Sequence, residues 1–184
     1  MSEGCDSGLL CAHDVRNPHT QPAWSHQLQR GSEVPSVCCL APLGQDLIVV
    51  GCSTGWLQII DTRNGRSVVE QRLHLDDIRS LSILPLAKGK GWGLLTSSYD
   101  STAALWSLDS SLCSSRSENA ASDKACEKVF ALSRGHSDKV LCAAFAVGAG
   151  AEVDWARPPP ILSSGADGVV LLWQATRTTQ GRAV

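Results

Sequence analysis

Ser53 lies in GCSTG, residues 51–55, a G-x-S-x-G pattern of the kind that exposes a serine nucleophile on a tight turn in many hydrolases. Asp100 and His136 follow it, so even the order Ser…Asp…His fits a catalytic triad. Two features count against that chemistry. A matching stretch, GCDSG at 4–8, has Asp6 where the serine would stand, and GCSTG leads into a strand-like run instead of the helix a nucleophile turn needs. A non-catalytic chain is therefore expected, with no catalytic residue assigned. KGKGWG at 88–93 lacks the G-x-x-x-x-G-K-[ST] of a phosphate cradle and reads as a surface loop. Cysteines at 5, 11, 38, 39, 52, 113, 126 and 142 form no C-x-x-C pair and no zinc-finger spacing with histidine, so neither metal nor cofactor is expected.

Bulk properties narrow the classes further. A net charge of −2 and the absence of a basic cluster with interleaved aromatics disfavour nucleic acid as a partner. No apolar run reaches the roughly 18–20 residues of a membrane span, and MSEGCDSGLL has no signal-peptide pattern. Cysteines inside apolar runs, as in PSVCCLAPL and KVLCAAFAV, read as buried reduced thiols, which implies a cytoplasmic or nuclear compartment.

The elements that hold these residues repeat. GCDSGLLCAHDVRN at 4–17 and GCSTGWLQIIDTRN at 51–64 share Gly, Cys, Gly, Leu, Asp, Arg and Asn at matching places, and LLTSSYDSTAALWS (94–107) and ILSSGADGVVLLWQ (161–174) follow the same plan more loosely. Each is a pair of short apolar runs around a Gly/Ser/Asp turn, which is hairpin patterning. Upstream lie Val34–Leu40, Ile78–Leu84 and Val140–Val147 as inner strands, and SHQLQ, SVVEQRL and CEKVFAL as outer strands. Four short strands at a period near 40–45 residues are the signature of a propeller blade.

GHSDKV at 135–140 followed by LSSGADGVVLLWQ resembles the WD-repeat family, with Trp173-Gln174, Trp106-Ser107, Ile60-Asp61 and His13-Asp14 in place of its WD ends. The resemblance implies an all-β propeller of about three full four-stranded blades plus half a blade, an incomplete ring. It places the family's hydrogen-bonded tetrad on His136, Ser163, Asp167 and Trp173, and on His74, Thr96, Asp100 and Trp106. In each, the indole N–H donates to the hydroxyl, the hydroxyl to the imidazole and the imidazole to the carboxylate, so every buried polar group is satisfied. The repeat at 31–61 has Val50, Thr54 and Ile60 there and is expected to rely on packing alone.

The expected division is 1–30, the second half of a blade and the outer strand of the next; repeats at 31–66, 67–107 and 127–174; a serine-rich insertion at 108–126; and a tail at 175–184. Since closed propellers use four to eight blades, completion by missing blades, by another protein or by self-association is expected.

Connections in such a fold alternate between two faces. The longer insertions, 84–92, 108–126 and 146–160 (the last with ARPPP, read as a stiff loop), fall on one of them. Arg16 and Arg63 point to that same face, in Asp14-Val15-Arg16 and Asp61-Thr62-Arg63, which resemble the D-x-R boxes of substrate receptors for cullin–RING ubiquitin ligases. The opposite face is the family's usual partner-binding surface and carries Tyr99, Ala166, Ser53 and Asp6 on its turns, with Arg79, Asp77 and Lys139 beside them. Tyr99 is the expected hot spot, because a tyrosine on a turn tip combines area with a hydroxyl. Trp24, Trp56, Trp92 and Trp155 are left open between packing and contact roles. The expected function is a scaffold for protein partners of unknown identity, with a ligase substrate receptor as the alternative.

Overall fold

A computed structural model of the 184-residue chain describes residues 7–14, 16, 21–29, 32–113, 125–132, 134–148 and 150–174. Its strands are β1 (Leu9–Ala12), β2 (Trp24–Gln27), β3 (Val37–Leu43), β4 (Leu47–Cys52), β5 (Trp56–Asp61), β6 (Arg66–Arg72), β7 (Ile78–Pro85), β8 (Gly91–Ser98), β9 (Ala103–Asp109), β10 (Cys126–Leu132), β11 (Val140–Phe145), β12 (Ile161–Gly165) and β13 (Val170–Trp173). They sort into four antiparallel meanders: β1-β2, β3-β4-β5-β6, β7-β8-β9-β10 and β11-β12-β13. About three blades and a partial one are thus present, as the repeat implied. Among the described residues the helical elements are three short 3-10 turns, and no helix is long and apolar enough to cross a membrane.

The pairing corrects one assignment. Residues 24–27, given above to the next blade, pair with the strand before them, Trp24 opposite Ala12 and His26 opposite Leu10. In the same way β6 closes on β5 and β10 on β9. Each blade therefore takes its outer strand from the residues after its hairpin, and its boundaries run across those of the sequence repeat. Closing onto the preceding strand needs only a local antiparallel return.

The inner strands are also offset from the sequence reading. The first is Val37–Leu43 instead of 34–40, and all three carry a register shift at one equivalent place: Val37/Cys39, Ile78/Ser80 and Val140/Cys142. Such a bulge frees one residue from pairing and re-aims it. Cys38, Arg79 and Leu141 occupy that position.

Each sheet is apolar on the faces it turns toward its neighbours, so the core lies in layers between sheets. Leu57, Ile59, Leu94, Trp106 and Leu108 fill the layer between the second and third sheets. Leu95, Leu105, Phe145 and Ile161 fill the next, and Leu10, Leu28, Val50 and Ile60 the first. The four tryptophans left open all pack against these layers: Trp24 and Trp56 in the first, Trp92 in the second, Trp155 in the third. KGKGWG is only half a loop, because β8 begins at Gly91 and carries Trp92 into the core. The insertion at 146–160 is tied down at Val153. Val153 exchanges backbone bonds with Pro85 and Ala87 at 2.8 and 2.9 Å and is itself buried.

The recurring turn glycine has a backbone cause. Gly8, Gly55 and Gly168 have φ of +61°, +81° and +75°, where a Cβ is disfavoured. In the third sheet Ser101 adopts the same conformation, φ +66°.

Candidate functional site

Both tetrads form. In the third sheet Trp106 Nε1 donates to Thr96 Oγ1 at 2.9 Å, His74 Nε2 lies 2.7 Å from the same oxygen, and His74 Nδ1 is 3.0 Å from Asp100 Oδ2. In the fourth, Trp173 Nε1 donates to Ser163 Oγ at 2.8 Å, with His136 Nε2 2.8 Å from Ser163 Oγ and Nδ1 3.0 Å from Asp167 Oδ2. The aspartates do more than orient imidazoles. Asp100 accepts the Leu75 and Thr102 amides at 3.0 Å and the Thr102 hydroxyl at 2.6 Å, and Asp167 accepts the amides of Ser137 and Val169. Each carboxylate therefore pins the turn it sits on to the loop that enters the inner strand. Burial alone would raise the Asp100 carboxyl, but the bonds from His74, Thr102 and Leu75 outweigh it and hold the group below the ordinary carboxylate range. For Asp167 burial is likewise outweighed, by the Ser137 and Val169 amides and by His136. Lys128 on β10 lies over the Trp106 ring, 4.6 Å from its centre.

The second sheet has no such network. Val50 and Ile60 are fully buried in the apolar layer against the first sheet, as the sequence implied, and Thr54 instead donates its amide to Asp77 Oδ1 at 3.2 Å.

These props carry a face of turns. One bond repeats in all three complete hairpins: Ser53 N–H to Ser36 O, Tyr99 N–H to Asp77 O and Ala166 N–H to Lys139 O, at 3.0, 3.0 and 2.8 Å. Tyr99 is half-buried, with the Arg79 guanidinium 4.8 Å and the Lys139 ammonium 4.4 Å from its ring centre. Arg79 reaches the ring from the bulge of β7, while Lys139 comes from the loop entering β11, so one cation belongs to the tyrosine's own blade and the other to the next. Three of the expected contact residues are thus brought together. Asp77 stands beside them as a tie between turns, its side chain on Thr54 and its carbonyl on Tyr99. At the equivalent places the second sheet offers only Ser53 and Cys38, and the fourth Ala166 and Leu141. Asp6 lies outside the described residues.

On the opposite rim the two D-x-R stretches share one geometry. Arg16 Nε and Nη2 donate to the two Asp14 carboxylate oxygens at 2.9 and 2.8 Å, and Arg63 does the same to Asp61 at 2.9 and 2.6 Å. Each backbone amide adds a bond to the same carboxylate. The paired guanidinium lowers Asp61 and Asp14 from their usual range. Beside Arg63 a cleft of about 280 Å³ opens over Leu43, Leu47, Trp92 and Leu112.

The serine motif gathers no triad. Ser53 Oγ accepts the Ser36 amide at 2.9 Å, while Asp100 and His136 are each engaged in a different tetrad. Two ties between blades carry no motif and are absent from the sequence reading. Gln71 donates to the Cys126 carbonyl and accepts the Cys126 amide, both at 2.9 Å, and Ser80 Oγ accepts the Ala143 amide at 2.8 Å. Only the alternation of strand residues toward neighbouring sheets would have marked them.

No family model and no curated protein matches this sequence. Among solved structures, the WD40 β-propeller domain of Doa1 is similar over 93% of this chain and 46% of its own, with 16% identity and a TM-score of 0.61. This chain therefore spans about half the length of that one. Sheet order, tetrads and this likeness together identify the fold: the chain has the fold of a WD40 β-propeller, in about three blades and part of another.

Proposed function

We propose that the chain is a protein-interaction scaffold whose contact centre is the turn face around Tyr99. The fold suggests a platform for protein partners, and the observation that carries the reading is the Arg79–Tyr99–Lys139 stack. Three long side chains from two blades converge where the neighbouring blades carry small or aliphatic residues. None of the three is needed for the tetrads, whereas aromatic and arginine side chains on a rigid base are the usual anchors of an interface. The polar props beneath keep that base fixed, which limits the ordering cost of association. The thiols fit a cytosolic or nuclear setting, and the balanced charge gives nucleic acid little hold.

The alternative, docking to the adaptor of a cullin–RING ligase through Arg16 and Arg63, draws on their equal placement on successive blades. It has less support, because each guanidinium already spends two donors on its own aspartate and thereby anchors its own turn. Affinity capture from the native cell with wild type, Arg79→Ala/Tyr99→Ala and Arg16→Ala/Arg63→Ala separates the two. The scaffold reading expects partners lost with the first pair and kept with the second. A ligase adaptor that co-purifies with the first variant and vanishes with the second overturns it.

A further inference from the structure

Among the described residues nothing covers one face of the fourth sheet. Leu162, Val170 and Leu172 are 42%, 69% and 56% exposed. Leu162 pairs with Leu172 and Ala144, and Ser164 with Val170 and Cys142, so these six side chains form one uncharged patch across β11, β12 and β13. By hairpin register Leu162, Val170 and Leu172 match Val49, Leu57 and Ile59 of the second sheet and Leu95, Ala103 and Leu105 of the third. All six of those are at most 2% exposed, because the next sheet lies on them. The patch is therefore the blade-to-blade contact surface without its blade.

The first sheet shows the converse. Leu10 packs toward the second sheet, while Leu9 is 42% exposed and Cys11 is exposed on the side facing away. Cys11 matches Gln58 and Ala104, both buried against a preceding sheet. Leu9 pairs with Gln27 and Cys11 with Ser25, so this face too is uncharged. Each copy thus carries one exposed surface of each kind, and the two kinds meet three times within the chain already.

We propose that a second copy of the chain covers both: the first sheet of one copy packs on the fourth sheet of the other, twice, about a twofold axis. Closed twofold assemblies are the commonest oligomers. Three blades and a partial one per copy make about six blades and two partial ones in the ring, within the four-to-eight range of closed propellers. The matched stretches of two copies amount to twice 46%, or 92%, of the length of the matched propeller chain. Closure by a pair gives each exposed face the kind of face it already meets within the chain.

The test is sedimentation of the purified full chain up to about 50 μM, with timed alkylation of Cys11 and Cys142 followed by peptide mass spectrometry. The expected mass is twice 19.5 kDa, or 39 kDa, with both thiols slow to react. Leu9→Glu and Leu172→Glu should each weaken the dimer about a hundredfold by placing a charge in the contact and should release both thiols together. Unchanged tryptophan fluorescence shows that the variants fold; if one does not, the other carries the test. A 19.5 kDa species with fast thiols at the highest concentration overturns the proposal. So does a dimer broken by Leu172→Glu and untouched by Leu9→Glu, since that pairs like faces. The measurement uses the chain alone, so its failure leaves the scaffold reading standing.

Discussion

Thr96 is the narrowest point of the third-blade network, and replacing it by valine tests the network with little change of volume. Its hydroxyl, fully buried, bonds both Trp106 Nε1 and His74 Nε2, at 2.9 and 2.7 Å, and among the described residues neither atom has another partner. In Thr96→Val both atoms stay in the layer between the second and third sheets and lose that partner. An orphaned buried polar group costs about 1–3 kcal/mol, so the variant should lose about 2–5 kcal/mol after the small gain from the methyl. Thr96→Ser keeps the oxygen and removes one methyl, for about 1 kcal/mol; Ser163 holds the same place in the fourth blade. Urea unfolding followed by tryptophan fluorescence, at one protein concentration so that association does not enter, reads the difference. With a slope of about 2 kcal/mol per molar, the valine midpoint should fall by about 1–2.5 M and the serine midpoint by about 0.5 M. Valine costing no more than serine would refute the reasoning, because the hydroxyl would then contribute only its bulk. In Thr96→Val/Trp106→Phe the orphaned indole N–H is gone, so the pair should cost about 1–2 kcal/mol less than the sum of the single changes.

Acid should weaken the fold. Asp100 holds its proton far less readily in the folded chain than the unfolded one does, so its stabilisation is complete above about pH 5 and is lost as pH falls through the folded value. Asp100→Asn should lower stability at pH 7 and flatten the acid limb of a plot of urea midpoint against pH. Ser101→Gly should raise stability by about 0.5–1 kcal/mol, because the residue already sits at φ +66°; a lower midpoint would show that the serine makes a contact worth more than the strain. Burial pushes the Cys39, Cys52 and Cys126 thiols up to about 12, so at pH 8 roughly one in ten thousand of each is thiolate. Iodoacetamide should leave these three unmodified until urea unfolds the chain, as peptide mass spectrometry would show.

The tetrads were legible because their residues differ in chemistry from everything around them. A histidine, a hydroxyl, an aspartate and a tryptophan at fixed offsets stand out among apolar strands, and the spacing transfers directly to bonds of 2.7–3.1 Å. Pairing was less legible. SHQLQ announces a strand but carries nothing that says which neighbour it joins, and its partner β1 shows only in the antiparallel pairing. The bulge at Arg79 leaves no trace in composition, yet it decides that the guanidinium lies over Tyr99. Trp92 shows the opposite failure: flanked by glycines and lysines it reads as loop, while alternation along β8 buries its face against the second sheet.

Three of the residues repeated between the first two hairpins shape turns. Gly8 and Gly55 take a left-handed backbone, and Asp14 with Arg16 and Asp61 with Arg63 close the same fork over the following turn. Identity at these three positions therefore marks turn geometry that the first two hairpins share. A contact site asks for the reverse, a position where the backbone is copied and the side chain is not. The repeated amide-to-carbonyl bond of Ser53, Tyr99 and Ala166 supplies such a position. The same frame holds three different side chains, and only the third blade fills it with a large one. Asp100, next to that tyrosine, binds the Leu75 amide and both groups of Thr102, so the network that stabilises the blade also fixes the tip on which Tyr99 stands. Blade stability and presentation of Tyr99 thus depend on the same carboxylate.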